Sequence, residues 1–235
     1  MEIFGIPSQA FFGQLLLGLI NGSFYAVLSL GLAIIFGLLN IINFAHGAQY
    51  MLGAFGAWLG LNYLGINYWL ALILSPLLVG ALAVVIERSM LKRLYQLDHL
   101  YGLLLTFGLA LMAEGLFKNF FGVSGESYEA PELLQGGMQL GFMYLPIYRG
   151  WVVVAALTVC FATWFVIEKT KLGAYLRAGT ENPQIVQALG INVPLLLTFT
   201  YGFGVALAAF AGVLAAPIYQ VSPLMGSNII IIVFA

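Results

Sequence analysis

From residue 11 to residue 39 the chain carries no charged side chain. That run decides the solvent in which the protein folds, because about 20 predominantly apolar residues are enough for a helix to cross the hydrocarbon of a bilayer. The pattern recurs. Charged residues, with polar breaks at 40–47 and 62–67, divide the 235-residue chain into six apolar stretches, at about 11–39, 48–64, 66–86, 101–121, 145–167 and 194–216, and each is read as a membrane span. Composition excludes the alternatives. Apolar residues make up 62% and charged residues 7%, whereas a soluble domain carries roughly 25% charged residues. A net charge of −1 lacks the basic footprint that phosphate neutralisation requires, so no nucleic-acid partner is expected. The expected fold class is all-α, a polytopic transmembrane helical bundle that forms one domain over 1–235. Residues 1–10 lack the positively charged start of a signal peptide, so the first stretch is read as retained. The apolar run 229–235 rises only about 10 Å and is read as the start of a truncated helix, leaving the bundle C-terminally incomplete.

The basic residues orient the spans. Arg88, Lys92 and Arg93 lie in the loop 87–100, and Lys169, Lys171 and Arg177 in the loop 168–193. Lysine and arginine collect in short cytoplasmic loops, so both loops are expected inside. The loop 122–144, with Glu126, Glu129 and Glu132, is then outside, and so is the N-terminus. Trp58, Tyr63, Tyr68, Trp69, Tyr144, Tyr148 and Trp151 fall at the expected outer boundary, where aromatic rings favour the headgroup level.

Within lipid, helices approach one another through small residues. Four-residue spacing marks Gly18, Gly22 and Ala26, Gly56 and Gly60, and Gly204, Ala208 and Gly212 as expected contact surfaces. Polar residues at membrane depth are candidates for a translocation path. Asn21, Ser23 and Tyr25 lie within the first span, where amide and hydroxyl groups need partners. Asn40, Asn43 and His46 recur every third residue, with Gln49 following. They form a polar stripe on a helix, a break whose freed backbone faces a cavity, or an ordinary turn between two spans. His46 has no second histidine, cysteine or carboxylate at ligand spacing, so no metal site is assigned. Glu114 and Lys118, one helical turn apart, are read as a structural pair.

In the loop 168–193, Asn182 is a good N-cap, Pro183 suits the first helical position and Gly190 a C-terminal stop. A helix of about two turns is expected over 182–189, with an apolar side of Ile185, Val186, Ala188 and Leu189 that needs burial. Arg177–Ala178, Glu181–Asn182 and Ala188–Leu189–Gly190–Ile191–Asn192 resemble the coupling loop of permease subunits in branched-chain amino-acid (LIV-type) ABC importers. The segments at 21–26 (NGSFYA), 42–47 (INFAHG) and 208–214 (AAFAGVL) are similar to that family's signatures in collinear order.

The resemblance implies a division of labour. Two permease subunits form the channel, two cytoplasmic ABC ATPase subunits bind ATP and magnesium, and a periplasmic binding protein delivers the solute across the cell inner membrane. On that basis Arg177, Ala178, Glu181, Asn182, Pro183, Ala188, Gly190 and Ile191 are the expected ATPase-coupling residues, and the chain has no catalytic residue or cofactor of its own. No GxxxxGK[ST] phosphate loop occurs in the sequence, consistent with hydrolysis by another chain. Branched-chain amino acids are the expected cargo, with urea or short amides as related solutes. A stand-alone secondary transporter or channel is the rival reading; it would want coupling carboxylates near the midplane, and only Glu114 approaches that. The GxSG match at 122–125 is set aside as a protease signature, because Ser124 lies across the bilayer from His46 and His99.

Overall fold

The computed structural model describes residues 2–3, 6–39, 42–95, 97–141 and 143–234. Nine helices order the described chain: α1 Ser8–Leu39, α2 His46–Leu64, α3 Tyr68–Ser89, α4 His99–Phe121, α5 Ile147–Lys169, α6 Lys171–Glu181, α7 Pro183–Ala188, α8 Val193–Ala215 and α9 Met225–Phe234. Two small antiparallel hairpins accompany them, β1 Glu2–Ile3 with β2 Ile6–Pro7, and β3 Gly137–Gln139 with β4 Tyr144–Pro146. The protein is thus an all-α polytopic bundle.

Turn chemistry sets the element ends. Gly65 adopts φ +64 and closes α2, a left-handed conformation that costs glycine little. The Asn67 side chain then accepts from Leu70 N at 3.0 Å to open α3, and Asp98 accepts from Leu100 N at 2.9 Å to open α4. Each cap supplies an acceptor to an otherwise unpaired helical N–H.

Among the described residues five helical stretches are long and apolar enough to cross a membrane: 8–37, 68–93, 99–121, 147–169 and 193–215. The sixth expected stretch, 48–64, forms α2, which is less apolar and has ten buried residues, Gln49 and Tyr50 among them. It lies against α8 and α3, so protein rather than lipid surrounds much of it.

At the centre stands α8, packed against α1, α2 and α3. The backbones come close because the side chains are missing: a Cβ on Gly212 would strike the Tyr50 carbonyl, one on Gly53 the Ala209 backbone, and one on Gly31 the Gly204 carbonyl. Gly56 meets Ser75 in the same way, and the Ser75 hydroxyl donates to Gly53 O at 2.8 Å. Two of the three expected small-residue surfaces therefore lie in helix contacts. The first differs: Gly18 and Gly22 have no described neighbour within 4 Å and Ala26 is exposed, because that face of α1 turns away from the described bundle.

Three further differences concern loops. The stretch 168–193 contains two helices rather than one, since α6 precedes the expected two-turn helix. The final helix starts at Met225, before the apolar run at 229. The loop 122–144 contributes β3 and the first residue of β4, whose hairpin runs on to Pro146, and an isolated bridge joins Glu126 to Val221. At this end Trp151 Nε1 donates to the Tyr68 hydroxyl at 3.1 Å, the Tyr68 and Tyr148 hydroxyls are 3.0 Å apart, and Tyr148 donates to Leu214 O at 2.9 Å.

Candidate translocation path and coupling surface

Two consecutive helices normally meet at the bundle's edge, but α1 and α2 meet inside it. His46, the first residue of α2, places Nε2 2.9 Å from Leu28 O, and Leu28 lies eleven residues before the end of α1, about 16 Å along the axis. Thr106, seven residues into α4 and so about 10 Å from its start, accepts from Phe44 N at 3.1 Å. Its hydroxyl is also 3.0 Å from Leu103 O and 3.3 Å from Ile42 O. The chain therefore folds back between the helices, and the non-helical residues 42–45 lie well within the bundle. Of the readings open from sequence, the structure takes the break. Irregular backbone at such depth survives only where protein or a cavity satisfies it, and here the partners are side chains. Asn43 Oδ1 accepts from Ala45 N at 3.1 Å, and Asn43 Nδ2 donates to Gln49 Oε1 at 3.1 Å. Asn43 and His46 are fully buried and Gln49 nearly so. Because the Leu28 carbonyl only accepts, His46 Nε2 carries the ring proton, and Nδ1 is a buried acceptor without a partner.

Asn40 lies outside the described residues. The other expected path residues separate. Ser23 is buried but donates to Leu19 O of its own helix at 2.8 Å, so its hydroxyl is spent within α1. Asn21 accepts from the Tyr219 hydroxyl at 3.0 Å. Tyr25 lines a 270 Å³ cavity between α1, α2 and α9, together with Tyr50, Tyr219 and Asn228. Asn43, His46 and Gln49 do not line this cavity; they form the buried knot beside it, Gln49 being adjacent to Tyr50 in the chain.

A second buried polar group was missed in sequence. Glu87 falls at the first position of the expected loop 87–100. It lies instead in the last turn of α3, 1% exposed. Its Oε1 accepts from the Tyr95 hydroxyl at 2.6 Å and its Oε2 from the Thr198 hydroxyl at 2.8 Å. Burial first, and then the bond to Glu87, push the Tyr95 hydroxyl above its ordinary pKa. No spacing rule pairs residues 111 positions apart, so only the fold reveals this link between α3, its following turn and α8. Glu114 and Lys118 form the expected pair at 2.6 Å.

The loop 168–193 presents a different surface. In α6, Gly173, Leu176 and Gly179 are buried at three-residue spacing, which leaves the opposite face outward. Arg177 donates to Ile167 O and lies 3.7 Å from Glu168, tying α6 to the end of α5. Ala178 and Glu181 are exposed. Asn182 ends α6 and caps α7, its side chain accepting from Ile185 N at 3.2 Å, with Pro183 at the first position as expected. Gly190 adopts φ +85, and Ile191 N returns to Val186 O at 3.3 Å. Of the apolar side expected to need burial, only Val186 is covered; Ile185 is 59% and Leu189 75% exposed, and Ala188 is exposed beside them.

Comparison with known proteins decides the family: residues 14–235 match the model of the branched-chain amino acid transport system permease component. The chain belongs to this family. It is 29% identical to the high-affinity branched-chain amino acid transport system permease protein BraD of Pseudomonas aeruginosa, over 88% of this chain and 71% of BraD. It is 26% identical to the corresponding LivH of Escherichia coli K12, over 92% of this chain and 74% of LivH. Identity to a probable branched-chain amino acid transport permease protein LivH of Methanocaldococcus jannaschii is 30%, over 92% and 70%. No solved structure matches the chain. The permease family and the five apolar helices together make this a multi-pass membrane protein.

Proposed function

We propose that this chain is the membrane-spanning subunit of an ABC importer of the cell inner membrane, carrying branched-chain amino acids or a related small solute such as urea or a short amide. A periplasmic binding protein delivers the solute, a second permease subunit completes the channel, and cytoplasmic ATPase subunits bind ATP and magnesium. The N-terminus is outside and the loops 87–100 and 168–193 are inside.

One observation carries the reading: a short, doubly capped helix, α7, holds Ile185, Ala188 and Leu189 out of its own bundle and stands directly before α8, the helix around which α1, α2 and α3 pack. Exposed apolar groups at the tip of a rigid element fit a protein partner. Motion of that partner passes into α8, and from α8 to α3 through the Thr198–Glu87 bond. This is coupling by a two-state element that both sites bias. Arg177, Ala178, Glu181, Asn182, Pro183, Ala188, Gly190 and Ile191 then hold or form the contact. Asn21, Ser23, Tyr25, Asn43, His46 and Gln49 belong to the path side of the molecule.

Ala188→Trp tests the reading, because Ala188 is exposed and the larger side chain leaves the fold undisturbed. Leucine uptake and leucine-stimulated ATPase activity of the assembled importer are expected to fall together by more than tenfold. If both persist, α7 is not the coupling element. If uptake persists in membranes without ATPase subunits, the chain is a stand-alone transporter.

A further inference from the structure

We infer that residues 122–128 form a detachable strap: when closed it grips the segment 219–222, one wall of the cavity between α1, α2 and α9, and it lifts from that wall in each transport cycle. The inference rests on the permease reading above, which places the loop 122–144 outside, and adds the moving part on that side.

The strap begins where α4 ends. From 123 to 129 the backbone–backbone hydrogen bonds among the described residues are the two that join Glu126 and Val221, each N to O at 2.9 Å. Val221 is fully buried and sits between Gln220 and Ser222, which line the 270 Å³ cavity together with Tyr219. Gly125 lies directly on Gln220, so close that a Cβ there would strike the Gln220 side chain. Strap and wall thus meet through two backbone bonds and through a side chain that lines the cavity.

One side chain of the strap goes inward. Tyr128, between exposed Ser127 and Glu129, is 5% exposed and belongs to the same buried cluster as Tyr68, Tyr148 and Val221. Its hydroxyl is stranded there. Among the described residues two buried side-chain polar atoms have no partner, His46 Nδ1 in the break before α2 and the Tyr128 hydroxyl in the strap. The other tyrosines of the cluster are engaged. Leu214 O only accepts, so Tyr148 donates to it; Tyr68 then donates to Tyr148 and accepts from Trp151 Nε1.

A hydroxyl buried without a partner gives up its bonds to water and gains none in return. It recovers them when the strap lifts. Burial of the Tyr128 ring holds the strap down and the stranded hydroxyl works against it, so the closed and lifted positions lie close in free energy. A partner that touches the outer side can therefore move the strap with little differential binding. The few bonds along 123–129 make this the part of the outer surface that opens first.

The test uses proteoliposomes holding the importer assembled from this chain, its ATPase and its binding protein, with radiolabelled leucine. Residues that exchange both ladder bonds have Cα atoms about 5.5 Å apart, within the span that a disulfide bridges, about 4.4–6.8 Å. The double variant Glu126→Cys, Val221→Cys therefore locks the strap on oxidation. Uptake is expected to fall at least tenfold when it is oxidised and to return with dithiothreitol, while the wild type, whose one cysteine is Cys160, responds to neither. Tyr128→Phe keeps the ring and removes the stranded hydroxyl. Its unfolding midpoint is expected to rise and amide exchange over 122–128 to slow severalfold, yet uptake to fall severalfold, an opposition that loss of a merely structural contact does not produce. Wild-type uptake by the oxidised double variant would overturn the strap and leave the permease reading standing. Should the reduced double variant be inactive, Tyr128→Phe decides: unchanged exchange and uptake, or a lowered midpoint, would overturn the strap. Absence of leucine uptake by the wild-type chain would overturn the permease reading, and this inference with it.

Discussion

Helices α4 and α8 each have 23 residues and are similarly apolar, yet they occupy opposite places. In the most apolar window of α8, 56% of residues are buried inside the protein, and in that of α4 only 6%. Among the described residues α4 buries Gly102 and Thr106, whereas α8 buries fifteen, including Tyr201, Gly204, Ala208, Ala209 and Gly212. The difference lies in side-chain size. Lipid tails are as apolar as leucine, so Leu104, Leu111, Met112 and Phe120 of α4 gain nothing by leaving them. The small residues of α8 let three backbones close around it. Small residues alone do not suffice, since Gly108 and Gly115 of α4 have no described neighbour within 4 Å; the neighbouring helix must offer a matching hollow.

The sharpest way to break the contrast is to enlarge the centre. Gly212→Leu drives a side chain into the Tyr50 carbonyl, a clash that requires backbone movement; overpacking of this kind costs about 1–3 kcal/mol and more where the backbone is the obstacle. Size-exclusion chromatography in detergent is expected to show aggregated rather than monodisperse protein. Next comes a polar link from the rim. Thr106→Val keeps the shape but leaves Phe44 N without its acceptor, at about 1–3 kcal/mol, and should lower the thermal unfolding midpoint by several degrees. Tyr95→Phe removes one of the two hydroxyl donors of Glu87 and is expected to cost about 1 kcal/mol. A double-mutant cycle with Thr198→Val should show non-additivity, because the two act on one carboxyl group. The smallest effect belongs to the rim itself: Leu111→Ala and Met112→Ala should change stability by no more than about 0.5 kcal/mol. A large loss there would mean that α4 is covered by protein.

Five of the six expected spans were legible as apolar helices because uncharged runs are local properties of the chain. The cap at Asn182, the stop at Gly190 and the Glu114–Lys118 pair were legible for the same reason. Helix α6 was not, because its buried face is two glycines and one leucine, too slight for an apolar periodicity to register. Glu87 was not, because its partners come from two other places in the chain. The path residues were legible as polar groups at membrane depth, but their sorting depended on which face of each helix turned inward. Ser23 satisfied itself within α1, and Tyr50 and Asn228 came to the cavity from an expected span and from a segment with no assigned reading.

The bond between Thr106 and residue 44 has a consequence for biogenesis. A membrane protein is threaded into the bilayer from its N-terminal end, and the return segment emerges some sixty residues before the hydroxyl that completes it. Until α4 arrives, the Phe44 N–H waits without the Thr106 acceptor. The return segment between the first two helices is therefore fully paired only once the fourth helix is laid alongside.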